Sequence, residues 1–151
     1  MRTVDRALVR APLDRVFAVA ADVERWPAIL PHYRWVRVLE RRPPTQAVVE
    51  MAAWRPFGPV RWPTWWVSEM EPDPSRRRIR YRHVAGITRG MDVEWRIDGT
   101  DGEVQVEIVH EWSGPGWPLI GGLAAAWVIG PVFIHAIASR TLAGVRREAE
   151  R

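Results

Sequence analysis

From Tyr33 to Trp112 the chain repeats one kind of unit, a short run of alternating or β-branched residues followed by a turn. The runs are Tyr33 to Arg41, Gln46 to Trp54, Val60 to Met70, Arg77 to Val84, Gly90 to Ile97 and Val104 to Trp112, all with the residue types of strands. Between them lie Pro43-Pro44, Arg55-Pro56-Phe57-Gly58-Pro59, Pro72-Asp73-Pro74, Gly86 and Asp98-Gly99-Thr100-Asp101-Gly102. Connections this short join only antiparallel neighbours, because a parallel crossover takes roughly a dozen residues. The middle of the chain must therefore lay down a meander.

The last strands fix which side of that meander is dry. Met91, Val93, Trp95 and Ile97, then Val104, Val106, Ile108, His110 and Trp112, share one face, while Asp92, Glu94, Arg96, Gln105, Glu107 and Glu111 share the other. The strand before them agrees, since Ile79, Tyr81 and His83 alternate with Arg78, Arg80 and Arg82.

On the N-terminal side, residues 3–10 read as a first strand, and Ala11-Pro12 starts a helix in which Val16, Phe17, Ala20 and Val23 form the buried stripe. Pro27 and Pro31 stop that helix near Trp26 and impose a short second turn. On the C-terminal side, residues 113–139 carry no charged side chain, which raises a membrane span as an alternative. Against it, Ile120, Leu123, Trp127, Pro131, Ile134, Ala138, Thr141, Leu142, Val145 and Ala149 form one helical stripe that runs on into the charged tail. This predicts a long helix, kinked at Pro131, lying across the dry face. Ile129, Phe133 and Ile137 then fall on its back, which suggests contact with a second copy of the chain, a covering loop or a membrane surface.

With 151 residues the chain makes one domain, α+β in class, spanning 1–151: six to seven antiparallel strands wrapped around a C-terminal helix, with two short helices after the first strand. Cysteine is absent, which excludes disulfide scaffolds, thiolate zinc sites and thiol nucleophiles. The N-terminus has no apolar run behind its positive charge, so no secretory signal is expected and a bacterial, cytoplasmic protein is the default reading. All 22 basic residues are arginine and the net charge is +4, yet the arginines are spread among 18 acids. The cluster Arg76, Arg77, Arg78, Arg80 and Arg82 reads as a turn and the outer face of a strand, so no nucleic-acid partner is expected.

A strongly twisted sheet curves away from a straight helix and leaves a gap between them. The dry face carries large aromatic groups and a few polar ones, the mixture found in small-molecule pockets of roughly 300 to 1,000 Å³. For Trp54, Trp66, Trp95 and Trp127, cavity lining and ordinary core filling remain equally open.

The order of elements, the segment Ala11-Pro12-Leu13-Asp14-Arg15-Val16-Phe17 with Asp22-Val23-Glu24-Arg25-Trp26-Pro27 and Leu30-Pro31, and the closing helix from Gly130-Pro131-Val132-Phe133 through Thr141-Leu142 to Arg146-Arg147-Glu148-Ala149-Glu150 resemble the START-like helix-grip superfamily. Within it the chain is similar to the polyketide cyclase/dehydrase and lipid-transport group, which includes coenzyme Q-binding proteins. The resemblance implies a bound hydrophobic small molecule such as a lipid, quinone or polyketide, held by a carrier or sensor. It specifies fold better than activity, because the superfamily hosts carriers, receptors and enzymes alike.

The expected lining is Met51, Trp54, Trp66, Tyr81, His83, Met91, Val93, Trp95, Ile108 and His110 from the sheet, with Trp127, Pro131, Ile134 and His135 from the last helix. The spacing of strands puts His83 and His110 at the same end of alternate strands, about 10 Å apart, too far to share a metal ion. No metal and no cofactor is expected. Tyr81, His83 and His110 are the candidates for proton transfer in a polyketide aromatase/cyclase, which would need a base and a donor to the developing enolate. An apolar back to the last helix leaves peripheral membrane contact or a homodimer as further expectations.

Overall fold

The computed structural model describes residues 1–57, 59–113 and 131–151. In chain order its elements are strand β1 (Arg2–Val9), helix α1 (Leu13–Ala21), a 3-10 turn (Val23–Arg25), helix α2 (Trp26–Ile29), strands β2 (Tyr33–Arg42), β3 (Gln46–Phe57), β4 (Val60–Asp73), β5 (Arg78–Gly86), β6 (Asp92–Thr100) and β7 (Glu103–Glu111), and helix α3 (Pro131–Ala149). The seven strands form one sheet in the order β1-β7-β6-β5-β4-β3-β2. Every pairing is antiparallel, as short connections require. The meander closes on the first strand, with Arg2 opposite Glu111 and Val9 opposite Val104.

Alternation sorts the side chains as expected. Met91, Val93, Trp95 and Ile97 are buried, as are Val104, Val106, Ile108 and Trp112, and α3 covers them with Ile134, Ala138, Thr141, Leu142, Val145 and Ala149. The helix lies alongside β1 and α1. Its C-terminal carbonyls are met by a cation, since Arg15 Nε donates to Ala149 O at 2.7 Å and Arg15 Nη2 to Glu148 O at 3.0 Å. Gly144 allows α2 to approach, because a Cβ there would stand 2.0 Å from Leu30 Cδ2.

On the opposite face the arginines of β5 meet acids of β6: Arg78 with Asp98 at 3.1 Å, Arg80 with Glu94 at 3.1 Å and Arg82 with Asp92 at 3.7 Å. Arg6 reaches Glu107 on β7 at 2.7 Å, and Arg96 reaches the same carboxylate at 3.4 Å. Arg78, Arg80 and Arg82 of the basic cluster are thus one half of a cross-strand lattice of ion pairs, while Arg76 meets Asp73 within the turn and Arg77 faces Asp14 of α1.

Several boundaries differ from expectation. The first helix stops at Ala21, five residues before Trp26, because Asp22 leaves helical geometry (φ −84, ψ 67) and the chain restarts as a 3-10 turn. Its N-terminus has no side-chain cap of its own; Asp101 of the β6–β7 turn accepts from Leu13 N at 2.8 Å instead. Strand β3 continues through Arg55 to Phe57, with Pro56 opposite Arg61 and Phe57 opposite Val60, so most of the turn expected over residues 55–59 is strand. Ile137, expected on the back of the helix, is half-buried against the core, since it lies one turn from Ile134 and Thr141 on the same face. The kink at Pro131, the stripe residues Ile120, Leu123 and Trp127, and Ile129 lie outside the described residues, as do the side chains of Pro131 and Phe133. Among the described residues no helix is long and apolar enough to cross a membrane.

Candidate functional site

The register places polar residues of the dry face in rows that cross the sheet. One row runs Thr3, His110, Val93, Tyr81 and Met70 from β1 to β4. His83 belongs to the next row, its N–H donating to Met91 O at 2.9 Å. His110 therefore shares its row with Tyr81, and His83 sits diagonally from it instead of at the same level.

Between these rows and α3 lies a cavity of about 70 Å³. Met51, Trp66, Tyr81, His83, Met91, Val93, Trp95, Ile108, His110 and Ile134 all line it. That volume holds roughly five waters or a small ring system and is well below the range expected from the sequence. The reason is aromatic filling. Trp26 meets Tyr33 edge-on with ring centroids 5.2 Å apart and lies 5.7 Å from Trp95, while Tyr33 meets Trp66 at 6.1 Å. The tryptophans are thus both core and lining.

Polar atoms in this apolar chamber are few and several lack partners. The Tyr81 hydroxyl, His110 Nδ1 and Trp26 Nε1 are buried without a hydrogen bond among the described residues. His83 differs: its ring stacks on Trp66 at 5.7 Å, nearly parallel, and Nδ1 lies 2.6 Å from Thr88 Oγ1. Burial holds the His110 pKa down to about 4. Burial, reinforced by His110, holds His83 down to about 3. Burial also pushes the Tyr81 phenol well above its usual value. At neutral pH the chamber therefore contains no charge from these groups. It presents two neutral imidazoles and two phenols, Tyr81 and Tyr33, that burial makes keep their protons.

Helix α3 adds Thr141, whose hydroxyl donates to Ile137 O at 2.8 Å and lies 3.0 Å from His32 Nε2. Because that hydroxyl proton is committed, His32 is the donor in their contact. Desolvation, with Arg140 second, holds the His32 pKa down to about 4.

Two expected lining residues are elsewhere. Trp54 is an odd number of positions from Met51 and Ala53 is buried in the core, so Trp54 turns away from the chamber, and the guanidiniums of Arg34 and Arg61 lie 4.6 and 4.9 Å from its ring. His135 is one residue past Ile134, about 100° around the helix, and its 69% exposed side chain bonds Asp5 of β1 instead of entering the chamber. Trp127 lies outside the described residues, as does the Pro131 side chain. Conversely, Trp26, Tyr33, Thr88, Ile137, Ala138 and Thr141 line the cavity without having been assigned to it. Thr141 and Ala138 already stood on the inward stripe of the helix; Thr88 lies in a turn, where no periodicity marks it. Among the described residues no three His, Asp or Glu side chains gather within reach of one metal ion.

Known proteins resemble this chain in sequence and in fold. The family described as polyketide cyclase / dehydrase and lipid transport matches residues 9–132. The actinorhodin polyketide synthase bifunctional cyclase/dehydratase of Streptomyces coelicolor is 28% identical over 127 residues, 83% of this chain. This chain spans only 39% of that protein's length. Among solved structures, the Zhui aromatase/cyclase from Streptomyces sp. R1128 superposes with a TM-score of 0.80 at 25% identity, covering 100% of this chain and 94% of that one. A START superfamily protein from Mycobacterium smegmatis superposes with a TM-score of 0.73 at 12% identity, covering 99% and 97%, a likeness of fold alone. The match over most of the sequence, on a sheet that grips one long helix, leads to one conclusion: the chain belongs to the polyketide cyclase / dehydrase and lipid transport family.

Proposed function

We propose that this protein binds an apolar small molecule, a lipid, quinone or polyketide, in the chamber between sheet and α3, as a carrier or sensor. The observation that carries this reading is the set of buried polar atoms without partners, Tyr81 Oη, His110 Nδ1 and Trp26 Nε1, in one aromatic cavity. Each such atom costs about 1–3 kcal/mol while unsatisfied, so a ligand oxygen that reaches them gains what folding left unmade. Apolar burial supplies the rest, at about 25 cal/mol per Å². Met51 and Met91 line the chamber, and their unbranched side chains let it widen around a ligand larger than the present space.

A second reading, a polyketide aromatase/cyclase, is favoured by the row in which Tyr81 and His110 flank Val93 on neighbouring strands. In such a reaction the imidazole takes a proton from the carbon between two ketones. The resulting enolate, hydrogen-bonded by Tyr81, attacks a distant carbonyl of the same chain, and the aldol loses water. The pKa of about 4 weighs against this, since a base so far below neutral pH is a weak proton acceptor. Binding is therefore the better-supported reading.

Native mass spectrometry of the purified protein, with organic extraction of what it carries, tests the proposal. Binding predicts an apolar adduct or one-to-one uptake of an added apolar ligand; an empty chain that takes up none contradicts it. For the enzyme reading, His83→Ala and His110→Ala should abolish turnover of a poly-ketone while leaving binding nearly intact, and turnover that survives both changes refutes it.

A further inference from the structure

A second concavity lies on the outside of the molecule, where α3 passes the ends of β3 and β4. It is a groove of about 330 Å³ with Arg140 and Arg147 on one bank, Arg61 on the other, and His32 and Trp54 between them. Arg140, Ala143 and Arg147 follow one another at helical spacing on the exposed side of α3, so both guanidiniums project from the same stripe. The small Ala143 keeps the space between them open.

The charge pattern differs from that of most of the surface. Most arginines elsewhere meet carboxylates, and Arg2, Arg6, Arg41, Arg78, Arg80 and Arg96 each lie within 3.2 Å of one, while Arg10 and Arg89 lack such a partner among the described residues but stand apart from the groove. All Asp and Glu residues of the chain are among the described residues, and none pairs with Arg61, Arg140 or Arg147. Arg34, whose guanidinium lies over Trp54 beside that of Arg61, has no carboxylate partner either. The field of Arg140 and Arg147 already reaches His32, where both disfavour the protonated ring. A concave site lined by one sign of charge raises the local concentration of the opposite sign.

From this convergence of arginines without acids we infer that the groove is a binding site for a phosphoryl group, distinct from the apolar chamber. Guanidiniums suit the tetrahedral oxygens of phosphate, which accept paired N–H donors from more than one direction. Trp54 stiffens the site, because a guanidinium stacked on an indole has fewer orientations to lose on binding. The phosphoryl group has two sources, a soluble phosphate ester or the headgroup of a lipid, and the site chemistry is the same for both.

The test is a titration of the isotope-labelled full chain with inorganic phosphate at constant ionic strength, read at the His32 imidazole and Trp54 indole NMR resonances. Saturable shifts at both are expected. The double variant Arg140→Gln/Arg147→Gln, at exposed positions, should weaken binding at least tenfold, whereas Arg10→Gln/Arg89→Gln, which removes the same charge elsewhere, should change it less than twofold. Arg140→Lys/Arg147→Lys should retain binding with a several-fold loss. Chloride reproducing the shifts, or both glutamine doubles losing affinity equally, would overturn the site. Flotation with vesicles of phosphatidylcholine, with and without phosphatidic acid, then assigns the source. Binding only with phosphatidic acid, lost in the Arg140/Arg147 glutamine double, indicates a headgroup; no vesicle binding beside saturable phosphate binding indicates a soluble ester.

Discussion

The two faces of the sheet use polar side chains in opposite ways. On the outer face Arg80 meets Glu94 and Arg78 meets Asp98, both at 3.1 Å and in contact with water. On the inner face Tyr81 and His110, one residue along and one strand further, are buried with polar atoms unpaired. The outer groups are charged, satisfied and energetically almost neutral, because exposed ion pairs contribute about 0–1 kcal/mol. The inner groups are uncharged, unsatisfied and costly. Polar residues that a fold retains at a cost are better candidates for function than those it has neutralised.

The contrast can be broken or sharpened by mutation and pH. The largest effect is expected from Trp95→Ala: the ring is 3% exposed at the chamber wall, and its loss should cost about 3–5 kcal/mol in chemical denaturation. Loss below about 1 kcal/mol would mean that the inner face is not a packed core.

Acid comes next. His83 and His110 have folded pKa values of about 3 and 4, below the ordinary 6.5 that the unfolded chain recovers. The unfolded state therefore binds more protons as pH falls through 6.5, and stability drops from there until the folded values are reached. Each histidine contributes at most about 1.4 kcal/mol per pH unit, so urea midpoints should fall steeply between pH 6.5 and 4 and stay flat just above pH 7. His110→Gln should flatten part of that slope; an unchanged slope contradicts its burial as a neutral ring.

A smaller effect carries the opposite sign. Tyr81→Phe removes a buried hydroxyl that has no partner, and should stabilise the empty protein by about 1 kcal/mol while weakening any ligand whose oxygen it meets. Destabilisation would reveal a hydrogen bond in the resting state. The smallest effect belongs outside: Arg80→Gln should change stability by about 0.5 kcal/mol or less, vanishing in high salt.

Much of this contrast was legible in the sequence, since a period of two in β5, β6 and β7 and a turn every few residues leave little choice of topology. Tyr81, His83 and His110 were assigned to the inner face by parity alone, and they line the cavity. Parity also explains the failures: Trp54 stands an odd number of positions from Met51 and so turns away from the chamber, and His135 follows Ile134 although adjacent helical residues diverge by about 100°. Trp26 and Tyr33 were not assigned because they belong to a broken helix and a strand start, where no period runs long enough to orient a ring. The volume was overestimated for a related reason: alternation shows which rings enter a cavity but not how far they fill it. The arginine groove could not be read in advance, since it unites Arg61 with Arg140 and Arg147, and arginines such as Arg78, Arg80 and Arg82 find their acids only through strand register.

If the chamber is a binding site, its orphaned polar atoms should meet a ligand oxygen. Calorimetric titration with naphthol, an apolar double ring bearing one hydroxyl, compares wild type with Tyr81→Phe directly. The account predicts saturable binding at one site per chain, weakened about tenfold in the variant. No saturable heat in the wild type, or equal affinity in both proteins, would contradict it.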